Sequence, residues 1–337
     1  MSDEPRKDST SPTMVGGSAL PGGVMMRTQT RVGVAVRHEE TGEILTDGFD
    51  VQQPKGRWLR WPLARGVWAM HSAVGTGKRA MGVSEKLRWG EEPGEQLDIG
   101  FWGKVAIGAA ALLGAAVQIA AFRVGPVVVA KEAGLTGAAF IVADAFIRLG
   151  FLIGTLLVIS YLPPFRRLLA YHGAEHKVIA SFESGAGITP FAAVGKSRFH
   201  PRCGTSFLVV SALVSIGVYG AVLAVTGIFT YPALILTRII GAPIVTAITF
   251  EIQRQAAKQA NGRLRFLSWP GMAAQFLTTR EPRHGELEVA CRALDVALEE
   301  PAAEAAPATS AAQNGDLAGQ VAQPQPAPTP TAATETS

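Results

Sequence analysis

The run Tyr171-His-Gly-Ala-Glu-His-Lys177 sets two imidazoles, His172 and His176, four residues apart, with the Glu175 carboxylate just before the second. On a helix, positions i, i+3 and i+4 share a face, so the three side chains converge on one point. Zinc hydrolases with a helical H-x-x-E-H pattern hold two metal ligands and a general base together in this way. A second compact group follows at His200-Pro-Arg-Cys203. Imidazole with thiolate suits zinc; imidazole with carboxylate suits zinc, iron or manganese.

Two imidazoles need further ligands, and three sources are available. Glu183 continues the helical stripe, His200 and Cys203 lie in the same loop, and Glu251 ends a later apolar segment. His172, His176 and Glu251 with Glu175 as base would form a catalytic site with an open water position. His172, His176, His200 and Cys203 would form a closed structural site. Both sets call for a divalent metal, zinc by donor type. With no metal, the histidines are packing residues and Cys203 is a small buried side chain at the start of a helix.

The elements that must position these residues are apolar. Hydrophobic residues make up 48% of the 337 and charged residues 17%, against about 25% charged in soluble domains. Four segments read as membrane spans: Val105–Phe122, 138–162, 205–229 and 231–250. The second contains Asp144 and Arg148, an i,i+4 pair, and the fourth contains Arg238. Between the second and third, Pro163-Pro164 opens a helix. Phe165, Leu168, Leu169, His172, His176, Ile179 and Glu183 fall near one of its stripes, and Gly185 and Gly187 close it. That helix is expected along the membrane surface, with Arg166 and Arg167 at the head groups.

Loop 163–204 carries Arg166, Arg167, Lys177, Lys196, Arg198 and Arg202, and the stretch after the fourth span carries Arg254, Lys258, Arg263 and Arg265. The stretch 123–137 on the other side has only Arg123 and Lys131. The positive-inside rule then puts both termini and the histidine loop in the cytoplasm. The lipid bilayer is the expected partner. A net charge of +4, concentrated beside apolar segments, excludes no fold but argues against nucleic acid. No apolar signal-peptide core precedes residue 100. Two cysteines, Cys203 and Cys291, make no disulfide framework, although a single bridge stays open.

The predicted fold is mainly α: a polytopic helical membrane protein of about four spans with a small N-terminal cytoplasmic α+β region. Residues 1–13 are disordered in composition. The region 14–100 contains a β-hairpin, with strands at Thr30–Arg37 and Glu43–Phe49 around the turn Glu39-Glu-Thr-Gly42, and a helical stretch over 58–90 rich in Trp58, Trp61 and Trp68. Residues 101–252 form the membrane domain. Residues 253–300 form a helical segment in which Leu287, Cys291, Leu294 and Leu298 mark an amphipathic helix, and 301–337 form an Ala/Pro-rich disordered tail. Gly75-Thr-Gly-Lys78 is not a phosphate loop, because Ser72 stands for the required first Gly and Arg79 for the Ser/Thr. Met25-Met26 reads as packing.

Gly16-Gly17 through Val24-Met-Met-Arg27, Arg65-Gly66, the Tyr171–Lys177 run, Arg198-Phe-His-Pro-Arg-Cys-Gly-Thr-Ser-Phe207, Thr278-Thr-Arg-Glu-Pro282 and Glu288-Val-Ala290 resemble the YqhQ-like family of bacterial membrane proteins, domain of unknown function 1385. The resemblance covers about residues 14–298 and implies a metal-dependent enzyme. Gly22 stands where that family usually has a Glu. Metal-assisted hydrolysis of a peptide or a lipid-derived substrate, with Glu175 as base, is the leading expectation. A scaffold with structural zinc is the alternative. So is a small-solute transporter using Asp144, Arg148 and Arg238, which with four spans would have to be a homo-oligomer.

Overall fold

The computed structural model describes residues 14–51, 56, 61–89, 100–258 and 269–299. Trp58, Arg263, Arg265 and the two stretches read as disordered lie outside the described residues. An antiparallel meander comes first, β1 (Gly16–Leu20), β2 (Gly23–Arg27), β3 (Arg31–Arg37) and β4 (Ile44–Asp50), paired in that order. β3 and β4 are the predicted hairpin. β1 and β2 are additional strands. Glycines lower their strand propensity, but Gly22 at φ +76° closes the tight turn between them.

Eleven α-helical elements are described: α1 (Pro62–Trp89), α2 (Phe101–Ile119), α3 (Gly125–Glu132), α4 (Gly137–Tyr161), α5 (Pro163–Glu183), α6 (Pro190–Val194), α7 (Gly204–Thr226), α8 (Tyr231–Ile240), α9 (Ala242–Lys258), α10 (Trp269–Thr278) and α11 (His284–Leu298). The strands alternate between two cores with the period of two that a pleated strand imposes. Val24, Met26 and Ala35 pack with Tyr171, Ala174 and Val178 of α5 and with Leu287, Ala290 and Leu294 of α11. Met25, Val32, Val34 and Val36 pack on the opposite face with Ala80, Val83 and Leu87 of α1. The Gly75–Lys78 stretch lies within α1, consistent with its rejection as a phosphate loop.

Among the described residues, three helices are long and apolar enough to cross a membrane: Phe101–Glu132, α4 and α7. The first joins α2 to α3 through a π-helical turn at Ala120–Val124, so most of the stretch read as the 123–137 loop is helix. The fourth predicted span is broken. Tyr231–Ile240 and Ala242–Ala256 meet at 44°, and only if they count as one does the number reach four. Two features of the sequence make the break. Pro243 lacks an N–H for the helical ladder, and Gly241 lies so close to Tyr219 that a Cβ would come within 2.8 Å of its ring.

Candidate metal centre

α5 carries the two histidines and Glu175. Pro163 and Pro164 start it, and beyond its end Gly185 and Gly187 adopt φ of +71° and +98°. The helix is packed within the protein over much of its length. Its middle turns, including Tyr171, Gly173 and Glu175 to Ile179, are buried, because β1, β2 and α11 cover it. Gly173 is what lets the segment after α10 lie on it: a Cβ there would stand 2.0 Å from the Arg280 carbonyl oxygen, and the Arg280 N–H donates to Leu169 O at 2.8 Å.

That docking orients the first imidazole. His172 Nδ1 is 2.7 Å from Thr278 O, and His176 Nδ1 is 2.6 Å from Arg198 O. A carbonyl oxygen only accepts, so each Nδ1 bears the proton and donates it. In the neutral rings both Nε2 atoms are then left as lone pairs. The Arg198 guanidinium donates to Thr279 O and, at 3.2 Å, to Thr279 Oγ1, tying the two orienting segments together. Burial, then the neighbouring His172, lowers the His176 pKa against the pull of Cys203, which favours the neutral, ligating form.

Cys203 is the residue at which α7 begins. Its Sγ lies 3.2 Å from His172 Nε2 and accepts from Thr205 N at 3.4 Å. The donor atoms of His172, His176 and Cys203 all fall within 4.8 Å of one another. A tetrahedral zinc holds such donors about 3.3–3.8 Å apart, so small side-chain movements close the set. The two histidines also touch edge to face, ring centres 4.5 Å apart.

The remaining expected ligands are turned elsewhere. The His200 ring sits 5.6 Å from that of His176, but its Nε2 faces Glu183 at 3.7 Å and its Nδ1 accepts from Arg202 N at 3.4 Å. Glu183 is taken up by His200 and by Arg202. Both oxygens of Glu251 are gripped by Arg65, each at 2.5 Å. Thus neither the His172/His176/Glu251 set nor the four-ligand set with His200 is gathered. The sequence offered all three members of the group that is gathered, but not this combination.

Glu175 is 4% exposed, and its Oε2 has no hydrogen-bond partner among the described residues. Burial, opposed by His172, pushes its pKa up to about 7. Gly17 of β1 presses against it: a Cβ there would come 2.9 Å from Glu175 Cγ and 2.7 Å from Met25 O. Glu175, His172, Cys203 and Thr205 line a cleft of about 910 Å³ with Gly16–Ser18 of β1 and Trp68 of α1. An N/N/S donor set with fixed tautomers beside an unpartnered carboxylate fits a divalent metal.

Sequence reasoning did not find Gln275, which is fully buried. Its Oε1 accepts from His200 N at 2.8 Å and its Nε2 donates to His200 O at 2.7 Å, clamping the turn that delivers Cys203. Thr278 and Gly17 were visible only within the stretches that carry the family resemblance, and Arg198 otherwise only as one of the basic residues of loop 163–204. Cys203 and Cys291 are both free, so the bridge left open does not form. Burial pushes the Cys291 thiol up to about 12, which leaves it inert.

Fold and site together define a mainly helical protein with three to four apolar helices and a sheet-capped His/His/Cys group. The chain belongs to the family described as "Protein of unknown function (DUF1385)", which matches residues 61–300. It is similar to "Uncharacterized protein YqhQ" of Bacillus subtilis (strain 168), 29% identical over 306 residues, covering 85% of this chain and 93% of that protein. No solved structure matches. Gly22, where the resemblance leads one to expect a Glu, lies at the β1–β2 turn against Arg88.

Proposed function

We propose that this protein is an integral membrane metallohydrolase in which His172, His176 and Cys203 hold a divalent cation, zinc by donor type, and Glu175 is the general base. One observation carries the reading. Two Nδ1–H···O=C bonds present both Nε2 lone pairs beside Cys203 and next to a buried carboxylate with a free oxygen. Structural zinc sites take four protein ligands, whereas catalytic ones keep a position open. Three donors converge here, and His200, the obvious fourth, is engaged by Glu183.

A divalent cation held by His172, His176 and Cys203 would supply Lewis acidity. The protein supplies the rest. Glu175, held near 7, takes a proton from water and returns it to the leaving group. Thr278 O and Arg198 O keep the two imidazoles in one tautomer. β1 supplies the substrate surface. Among the described residues it has β2 on one side only, and Gly16, Gly17 and Ser18 line the cleft. An extended peptide can pair with such an edge through main-chain hydrogen bonds. A peptide is therefore the favoured substrate over a lipid ester.

The apolar helices support a place in the membrane, and the basic loop 163–204 supports a cytoplasmic face for the centre. The test is cleavage of an unfolded polypeptide by detergent-purified protein. Glu175→Gln is expected to keep metal and fold while losing at least about 100-fold in rate. Undiminished cleavage by that variant would overturn Glu175 as base.

A further inference from the structure

The other charged cluster lies among the apolar helices. Asp144 Oδ2 receives Arg148 Nη2 at 2.8 Å and Arg238 Nη2 at 2.7 Å. Arg123 reaches the same cluster from the π-helical turn, donating to Arg238 O at 3.0 Å and Tyr219 Oη at 3.3 Å. Two guanidinium groups thus share one carboxylate, and a third lies beside them on neutral acceptors. No other acid pairs with them among the described residues. Arg148 is the twelfth residue of the 25-residue α4, so it stands roughly 16 Å from the nearer end, at mid-span. Uncompensated charge at that depth costs several kcal/mol.

The excess is not spread evenly. Asp144 and Arg238 close against each other beneath Phe140 and Tyr219, and Arg238 stacks over the Tyr219 ring at 4.9 Å. Arg123 and Arg148 instead line a separate cleft of about 400 Å³ whose walls include no carboxylate. Arg148 Nε is buried without a partner. The cleft continues along Phe122, Leu152, Leu208 and Val245. Guanidinium groups recognise planar or tetrahedral oxyanions through paired N–H donors, and the apolar extension is larger than a bare anion needs. A π-helical turn and a broken helix, two features that recur at functional sites in membrane helices, both converge here.

We propose that this cleft binds the acidic head group of a membrane amphiphile, a carboxylate or phosphate seated between Arg123 and Arg148 with its alkyl chain along Phe122, Leu152 and Val245. The site is independent of the metal centre, so the two proposals fail separately.

The test uses native mass spectrometry on the full-length, detergent-purified chain with palmitate, dioleoyl phosphatidate, hexadecanol and inorganic phosphate as probes. One equivalent of palmitate or phosphatidate is expected, the preferred acid identifying the source. Binding is expected to fall at least about tenfold in Arg123→Gln and Arg148→Gln, with hexadecanol not retained. Leu152→Trp, which fills the cleft and leaves every charge in place, is expected to abolish binding in a protein of normal melting temperature. It also serves as the deciding variant if the arginine variants do not fold. Hexadecanol bound as tightly as palmitate, or wild-type affinity in Leu152→Trp, would overturn the proposal. Phosphate alone bound as tightly as phosphatidate would overturn the role given to the alkyl chain.

Discussion

At Cys203 the difference between packing and chemistry comes down to one sulfur atom. Cys203→Ser replaces a soft thiolate donor with a hydroxyl that binds zinc poorly. It is expected to lose the metal while secondary structure is kept, as read by metal analysis and circular dichroism. Cys291→Ser should leave metal content unchanged. Glu175 makes a separate claim. Burial pushes its carboxyl up to about 7 in the folded protein, against about 4.5 when exposed. Between those values the fold keeps a proton that the unfolded chain has released. The metal-free protein should therefore lose stability as pH rises from about 4.5 through 7, by roughly 3 kcal/mol in all. Glu175→Gln should flatten that slope in denaturant titrations at stepped pH. His172, Glu175 and His176 were legible from spacing alone, since the helix puts them together. The choice of Cys203 over Glu251, Glu183 and His200 was not. It is set by Arg65 and Arg202, which occupy the two carboxylates, and by the rotation of one imidazole. The carbonyls of Thr278 and Arg198 leave no trace in sequence because every residue has one.

Among the elements, glycines do the positioning. Gly173→Ala drives a methyl into the Arg280 backbone. It should cost roughly 1–3 kcal/mol and, by shifting Thr278 O away from His172, weaken metal binding about 10- to 100-fold. Thermal melts and a competitive chelator titration check both. Gln275→Ala leaves the His200 N–H and C=O unpaired in a buried place and should cost about 2–4 kcal/mol. The predicted β3–β4 hairpin, α5 with its glycine stop and the amphipathic α11 all stand, because each rests on hydrophobic period or on stop residues. β1 and β2 escaped notice because their stabilisation comes from α5 and α11, distant in sequence, and not from strand-forming residues. Helix α1 was legible, but its packing against α9 through Gly66 and Arg65 was not. The bend at Gly241 was hidden for the same reason: hydropathy averages over it.

On the scale of the whole molecule, the centre is attached directly to the apolar helices. α4 ends at Tyr161 and α5 begins at Pro163; Cys203 immediately precedes α7. The Arg280 guanidinium donates to Ser160 O at 2.6 Å, fixing the segment after α10 to the end of α4. This continuity follows from the chain order and could be read from sequence, whereas the sheet that caps the centre could not. If the loop 163–204 faces the cytoplasm, a membrane-impermeant thiol reagent should label Ala133→Cys in intact cells and Ala186→Cys only after permeabilisation. The reverse pattern would invert the topology. The most direct measurement is the metal content of the detergent-purified protein by plasma mass spectrometry, beside the His172→Ala/His176→Ala double variant. About one equivalent of zinc, iron or manganese per chain in the wild type and almost none in the folded variant is the expected result. No metal in either protein, with both folded after metal supplementation, would contradict a metal centre at His172, His176 and Cys203.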